Sequence, residues 1–252
     1  MAKINLFFGC GASRVTWQMG IAKVLSDKKL KTNEYEIDNI YAVSGGNWIS
    51  FGFIFNEIDF LYKSWREVNE QENKLYSFKQ NRKFFDPLFD WKESTIKRFV
   101  NENFDVMKNN PISCNFYTAV FNLSKLKNEW ISVHDKDIEE MKHIFFTSSS
   151  MPFLFPTMKI NDDVCLDAGL LEYSLIKDFL NKHQDEYNLI LTTESYNLKL
   201  PSKSMYFNMP KKLKKNIKFM DSNKERINSI IDMGEKDGLE IISKIEKMIS
   251  MN

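Results

Sequence analysis

The chain is predicted to pass from a strand to a helix within Ile40-Tyr41-Ala42-Val43-Ser44-Gly45-Gly46-Asn47-Trp48. A short β-favouring run ends on a serine flanked by small residues, and the pattern after it is helical. This arrangement is typical of a nucleophile elbow, in which a strained turn presents a serine at the end of a strand. Ala42 and Gly46, two residues before and two after the serine, are small enough to let strand and helix approach. The A-x-S-x-G pattern alone is more often an ordinary turn.

A second turn of small residues follows an apolar run near the N-terminus, in Ile4-Asn5-Leu6-Phe7-Phe8-Gly9-Cys10-Gly11-Ala12-Ser13-Arg14. It predicts a buried strand that leads into an anion-holding loop. A dinucleotide fingerprint would need a glycine at position 14, where Arg14 stands. The remaining functional interpretation is an oxyanion hole, with the backbone N–H groups of Cys10, Gly11 and Ala12 directed at one oxygen. A plain strand-to-helix connection remains the alternative.

A third segment lies far downstream, in Thr147-Ser148-Ser149-Ser150-Met151-Pro152-Phe153-Leu154-Phe155-Pro156 and in Val164-Cys165-Leu166-Asp167-Ala168-Gly169. The second part predicts a short strand that ends at Asp167. An open α/β sheet collects ligand groups at the carboxyl ends of its strands, so Ser44 and Asp167 are expected to meet there. Asp167 by itself would be read as a turn-initiating acid. The serines follow a helical pattern, so we expect them to line the site or satisfy backbone groups.

Together these segments resemble the patatin-like phospholipase family over roughly residues 4 to 195. That family has a glycine-rich oxyanion loop followed by a basic residue, a G-x-S-x-G elbow, a serine- and proline-containing segment, and a D-G-G or D-G-A box in this order. The resemblance implies a three-layer α/β/α sandwich with a mostly parallel central sheet. It also implies a lipid acyl hydrolase, with phospholipid or another acyl lipid as substrate.

The resemblance assigns a role to each matching position. Ser44 is implied as the nucleophile and Asp167 as its partner in a Ser-Asp dyad that acts through an acyl-enzyme intermediate. The implied oxyanion hole consists of Cys10, Gly11 and Ala12, and the supporting positions are Arg14, Ala42, Gly46 and Gly169. The sequence departs from the family pattern at Cys10, Val15, Ala42 and Ala168. The chemistry requires no metal and no organic cofactor.

Length and composition are compatible with this function. The 252 residues predict a hydrolase domain over 1–205 and a basic, helical C-terminal extension over 206–252 packed on the same domain. A formal net charge of +1 argues against a nucleic-acid partner. The three cysteines have no C-x-x-C pair, so we predict no disulfide framework and no zinc site. The simplest location for such a protein is a reducing compartment, and we predict that it is cytoplasmic.

Several features bear on membrane contact. The apolar run after Lys3 is short for an export signal, and no run approaches the ~20 apolar residues of a spanning helix, so we expect any contact with membranes to be peripheral. The aromatic cluster Phe84-Phe85-Asp86-Pro87-Leu88-Phe89-Asp90-Trp91 is interpreted as core or as a lid. The lysines within 211–218 precede an amphipathic helical pattern, which indicates either a solvated face or a surface for anionic lipid.

Two other functions remain open. A Ser-His-Asp hydrolase would need a histidine after its acid, and His183 is the candidate. The second alternative is an acyl-lipid-binding or regulatory protein that has the same fold and has lost turnover.

Between the two turns, residues 16–30 predict an amphipathic helix, and residues 28–39 predict a solvated connection.

Overall fold

The computed structural model of the chain describes residues 1–32, 35–67, 101, 104, 112–218, 221 and 223–251. The aromatic cluster at 84–91 lies outside these residues, so its interpretation as core or lid stays a prediction.

The described residues contain eight strands and seven α-helices. The strands are β1 (Ala2–Phe8), β2 (Tyr35–Ala42), β3 (Asn115–Asn122), β4 (Lys127–Ser132), β5 (Met158–Ile160), β6 (Asp163–Asp167), β7 (Tyr187–Thr192) and β8 (Ser204–Asn208). The helices are α1 (Thr16–Thr32), α2 (Gly46–Ile54), α3 (Ile58–Glu67), α4 (Ile138–Ser148), α5 (Glu172–Lys182), α6 (Lys211–Asn216) and α7 (Lys224–Ser250). Short 3₁₀ helices span Ala12–Val15 and Gly169–Leu171.

The strands form one mixed sheet in the order β5-β6-β3-β2-β1-β7-β8, with β4 paired to β3. Strands β3, β2, β1, β7 and β8 are parallel, whereas β4, β5 and β6 pair in antiparallel fashion. Side chains alternate between the faces of the sheet. In β1, for example, Phe8 packs with the core cluster that includes α1, α2 and α7, and Phe7 packs with the cluster that includes α5. The predicted α/β/α sandwich with a mostly parallel sheet is therefore confirmed.

Strand β3 aligns the two strands that matter for the site. Its first half pairs with β2, Thr118 opposite Ala42, and its second half pairs with β6, Val120 opposite Asp167. Both halves also pair with β4, so β2 and β6 occupy the same edge of β3. Because β2 is parallel to β3 and β6 is antiparallel, the carboxyl ends of β2 and β6 point towards each other. The sequence predicted that these ends lie close together, but not that they meet head to head.

The predicted solvated connection over residues 28–39 is wrong at both ends. Helix α1 continues to Thr32, and β2 begins at Tyr35. Tyr35 and Ile37 are buried and alternate with Glu36 and Asp38. This period of two is the pattern of a half-buried strand and is visible in the sequence, but it is short and lies in a segment whose overall composition is polar.

The C-terminal helix packs on α1 at very short range. A side chain on Gly234 would put its Cβ 2.1 Å from the carbonyl oxygen of Trp17, and one on Gly20 would meet the carbonyl oxygen of Ile231 at the same distance. The Trp17 indole N–H also donates a hydrogen bond of 2.7 Å to Asp237. The predicted domain boundary between residues 205 and 206 falls inside β8, which pairs with β7. Among the described helices, none is both long enough and apolar enough to span a bilayer.

Candidate active site

Ser44 sits in the sharp turn between β2 and α2. Its φ of 53° is left-handed, a conformation that costs a non-glycine residue about 1–3 kcal/mol. The start of α2 packs closely on the end of the neighbouring strand β1, where a Cβ on Gly46 would lie 2.4 Å from the carbonyl oxygen of Phe8. Ala42 is fully buried on the other side of the turn. Ser44 is therefore held with a strained backbone in a tight turn between a strand and a helix.

The Ser44 hydroxyl donates a hydrogen bond of 2.5 Å to Asp167 Oδ2. The other carboxylate oxygen, Oδ1, accepts the Gly169 N–H at 2.7 Å, and the Asp167 N–H donates to the Ser150 carbonyl at 3.1 Å. Gly169 thus holds the aspartate through its backbone, and the serine-rich segment contributes a backbone acceptor. The structure brings together the serine and the aspartate that the sequence singled out.

Burial sets the proton affinity of Asp167. Removal from water raises its pKa from an ordinary value of 3.8 to about 6, and the hydrogen bonds from Ser44 and Gly169 lower it. An acid with a pKa near 6 is ionised at neutral pH yet still accepts a proton readily. Such a group is suited to act as a general base towards the serine.

Asn47, the second residue of α2, connects the turn at Ser44 to neighbouring elements. Its side-chain N–H groups donate to the Ser44 carbonyl and to the Ser148 hydroxyl, each at 2.8 Å, and its oxygen accepts the Thr118 hydroxyl at 2.6 Å. All of these side chains are buried. The sequence analysis did not single out Asn47. Its importance follows from its complete burial, which the sequence alone does not show.

The loop over residues 9–12 is fixed at successive peptide groups. The Gly9 N–H donates to the Leu191 carbonyl at 2.8 Å, and the Gly9 carbonyl accepts from Gln18 at 3.2 Å. The Cys10 carbonyl accepts the Thr193 hydroxyl at 2.7 Å, and the Gly11 carbonyl accepts the Arg14 N–H at 2.9 Å. These contacts define the direction of each N–H in the loop.

The three predicted oxyanion donors differ in availability. The Cys10 N–H donates to Glu172 Oε1 at 2.5 Å, so this amide is engaged by a carboxylate and is not free to bind an oxyanion as the sequence analysis expected. Within the described part of the chain, the N–H groups of Gly11 and Ala12 have no protein acceptor. Gly11 has φ 150° and lines the cavity at Ser44, whereas Ala12 does not line it. Gly11 is therefore the best placed of the three.

Ser44 and Asp167 open into a cavity of about 340 Å³. Its apolar wall is supplied mainly by the segment after the serines and by the residue after Gly169; these residues are Met151, Pro152, Phe153, Leu154 and Leu170. Cys10, Gly11, Gly169, Glu194 and Tyr196 complete it. Phe153 and Leu170 are 88% and 87% exposed, so the rim of the cavity presents two large apolar side chains to solvent.

Arg14 lies behind the rim. Its guanidinium forms an ion pair of 3.5 Å with Glu194, which also binds Lys214 of α6 at 2.8 Å. Arg14 itself is not part of the cavity wall. The predicted basic position therefore reaches the site through an acidic side chain, which links the glycine loop, the rim and the lysine-rich helix.

His183 is remote from the dyad in its contacts. It ends α5, and its two ring nitrogens contact Glu186 and the Tyr41 hydroxyl, each at 3.1 Å. Neither contact involves Ser44 or Asp167, so the structure does not support the Ser-His-Asp alternative. In the part of the chain that the structure describes, no cluster of three histidine, cysteine or acidic side chains could hold a metal ion.

No protein-family model and no curated protein sequence matches the chain. Among solved structures, VipD from Legionella pneumophila superposes with a TM-score of 0.54 at 10% identity over 96% of this chain and 67% of VipD. ExoU, in the ExoU–SpcU complex from the type III secretion system of Pseudomonas aeruginosa, gives a TM-score of 0.47 at 11% identity over 97% of this chain. The chain spans about half the length of ExoU, 52%.

At this level of identity the similarity to VipD concerns the fold. VipD has a patatin-like α/β/α fold, and this chain shares it over nearly its whole length. The fold that the resemblance to the patatin-like phospholipase family implied is thus the fold observed.

Proposed function

We propose that this chain is a lipid acyl hydrolase of the phospholipase A or lysophospholipase type, acting through a Ser44–Asp167 dyad. The observation that carries the proposal is the 2.5 Å hydrogen bond between the two side chains at the floor of an apolar cavity. An apolar wall suits an acyl chain, and a strained serine beside a carboxylate suits acyl transfer. The patatin-like fold supports the same chemistry by analogy.

The proposed reaction has two halves. Asp167 accepts the proton of the Ser44 hydroxyl as Oγ attacks the ester carbonyl carbon, and the carbonyl oxygen becomes an alkoxide. The Gly11 N–H, with Ala12 next to it, stabilises that alkoxide. Collapse of the intermediate expels the alcohol, which takes the proton from Asp167. Water, deprotonated by Asp167, then attacks the acyl-enzyme and releases the fatty acid and the Ser44 hydroxyl.

The rim suggests how the substrate arrives. Phe153 has a φ of 65°, which is unusual for an aromatic residue, and its side chain projects into solvent beside the cavity. Leu170 follows the turn at Asp167, lines the same cavity and is also exposed. We propose that these two side chains enter the surface of a lipid aggregate, so that an acyl chain passes into the cavity without crossing bulk water.

Labelling with a long-chain alkyl fluorophosphonate, followed by mass mapping, tests the dyad. The expected result is one adduct, on Ser44, which is lost in Ser44→Ala. A folded protein that binds acyl lipid but does not label would instead indicate the binding or regulatory alternative. A label on any other serine would overturn the assignment of the nucleophile.

A further inference from the structure

We propose that Glu172 is a positioning residue for the oxyanion loop, and that its protonated form is the one that supports turnover. The inference rests on the proposed function. Glu172 opens α5, five residues after Asp167, and is 1% exposed. It lies behind the wall of the cavity and does not contact the space where substrate would bind.

The first step of the argument is the contact with the loop. Glu172 Oε1 accepts the Cys10 N–H at 2.5 Å, and it lies so close that a Cβ on Gly9 would meet it at 2.3 Å. The adjoining Cys10 carbonyl accepts the Thr193 hydroxyl. The peptide groups on both sides of the Cys10 Cα are thus held, one by Glu172 and the other by Thr193.

The second step concerns the donor that follows. The Cys10 carbonyl and the Gly11 N–H belong to one planar peptide group, in which C=O and N–H point in opposite directions. Because the carbonyl points at Thr193, the Gly11 N–H points away from it and remains available to the cavity. Release of the Cys10 N–H from Glu172 would let the preceding Gly9–Cys10 peptide group move, and the loop would lose one of the two contacts at Cys10 that fix the direction of the Gly11 N–H.

The third step concerns charge. Glu172 Oε2 accepts the Tyr196 hydroxyl at 2.7 Å, and Tyr196 lines the cavity. Glu172 interacts with four titratable groups, and each interaction alters the pKa of Glu172 or of its partner; the partners are Cys10, Tyr196, Tyr206 and Glu194. Glu194 is the acidic side chain of this set, and it forms ion pairs with Arg14 and Lys214.

Protonation determines whether the contact helps or hinders. Burial raises the pKa of Glu172 from 4.5 to about 7, against hydrogen bonds from Tyr196 and Cys10 that lower it, and Glu194 raises it further. The neutral acid still accepts the Cys10 N–H through a carboxyl oxygen. The ionised acid places a negative charge one residue from the donor that must stabilise an alkoxide, which opposes the reaction. Turnover is therefore expected to fall as Glu172 ionises.

Two substitutions separate the contact from the charge. Glu172→Gln keeps an oxygen acceptor for Cys10 and resembles the neutral acid, whereas Glu172→Ala removes the acceptor. At pH 6.5 we expect Glu172→Ala to lower kcat about ten- to a hundredfold with little change in KM, since oxyanion contacts act in the transition state. We expect Glu172→Gln to retain kcat and to exceed the wild type above pH 8. The exposed Glu240→Gln on α7 is the matched control and should change neither quantity.

A second measurement does not depend on activity. Selective ¹⁵N-cysteine labelling gives one amide signal for each of the three cysteines, and Cys10→Ser identifies the signal of Cys10. This signal should shift with a midpoint near pH 7 in the wild type and not in Glu172→Gln. A shift without any ester hydrolysis or Ser44 labelling would refute the proposed function and leave the contact established. An unshifted signal, or equal kcat in Glu172→Ala and the wild type, would overturn the inference.

Discussion

Ser44 and Asp167 are joined by a hydrogen bond of 2.5 Å although 123 positions separate them in the sequence. The contact depends on β3, which pairs with β2 before Ser44 and with β6 up to Asp167 along a single edge. Asn47 adds a second link, because its side chain joins the Ser44 carbonyl to Thr118 of β3. The contact between Ser44 and Asp167 thus depends on the pairing of the strands as much as on the turn at Ser44.

Removal of either member of the dyad should abolish turnover in a folded protein. Ser44→Ala is expected to lower kcat for a long-chain ester by about 10⁴-fold or more, since no nucleophile remains. Asp167→Asn is expected to lower it by about 10²- to 10⁴-fold through loss of the general base. Ser149→Ala, in the serine-rich segment, is the control. Near-normal kcat in either dyad variant would refute the assignment.

The acid side of the pH profile should report on Asp167. Because the carboxylate must be ionised to accept the serine proton, and its pKa is about 6, kcat/KM is expected to rise with pH up to about 6. A soluble short-chain ester avoids effects of pH on a lipid surface. A profile that is flat between pH 4.5 and 6.5 would show that Asp167 is not the base.

The ionised form of Asp167 should lower the free energy of unfolding at neutral pH. Its pKa is higher in the folded state, about 6, than the ordinary 3.8 expected for the unfolded chain. Stability from this group is therefore greatest below pH 3.8 and decreases as pH rises to 6, by about 3 kcal/mol in all. Asp167→Asn should raise the free energy of unfolding in urea at pH 8 and leave it nearly unchanged at pH 4. The exposed Asp162→Asn serves as control, and the idea fails if Asp167→Asn destabilises more at pH 8 than at pH 4.

The apolar rim should matter only for aggregated substrate. Phe153→Ser together with Leu170→Ser is expected to reduce hydrolysis of phospholipid vesicles about tenfold or more, because each buried apolar side chain contributes roughly 1.5–3 kcal/mol. Hydrolysis of a soluble short-chain ester should stay within about twofold of the wild type. Leu126→Ser is a matched control, since Leu126 is 75% exposed with a φ of 52° and does not line the cavity. Equal losses on both substrates would exclude the rim as a lipid contact.

The contact between α1 and α7 should not tolerate a methyl group. Gly234→Ala would place Cβ 2.1 Å from the backbone oxygen of Trp17, so we expect a loss of about 3 kcal/mol in the free energy of unfolding. Gly238→Ala, one turn further along α7, meets its nearest atom, Val24 Cβ, at 3.1 Å and should cost clearly less. If both variants unfold alike, α7 does not pack on α1 as described.

The sequence allowed the fold class to be predicted, and Ser44 and Asp167 to be singled out, because each depends on a local pattern. The apolar run of β1, the small residues around Ser44 and the short strand before Asp167 are visible in a few consecutive letters. The antiparallel direction of β6 and the capture of the Cys10 N–H by Glu172 are not. Both follow from which strands and helices become neighbours, and no local pattern specifies that.

The pairing of β6 with β3 has one more consequence. Side chains of a strand alternate between faces, so a shift of β6 by one residue would turn the Asp167 carboxylate to the opposite side of the sheet. Such a misaligned molecule would keep most of its secondary structure, but under the proposed function it would be catalytically inactive. Spectroscopic helix and strand content is therefore a poor measure of how much of a preparation is competent, and active-site titration is the appropriate one.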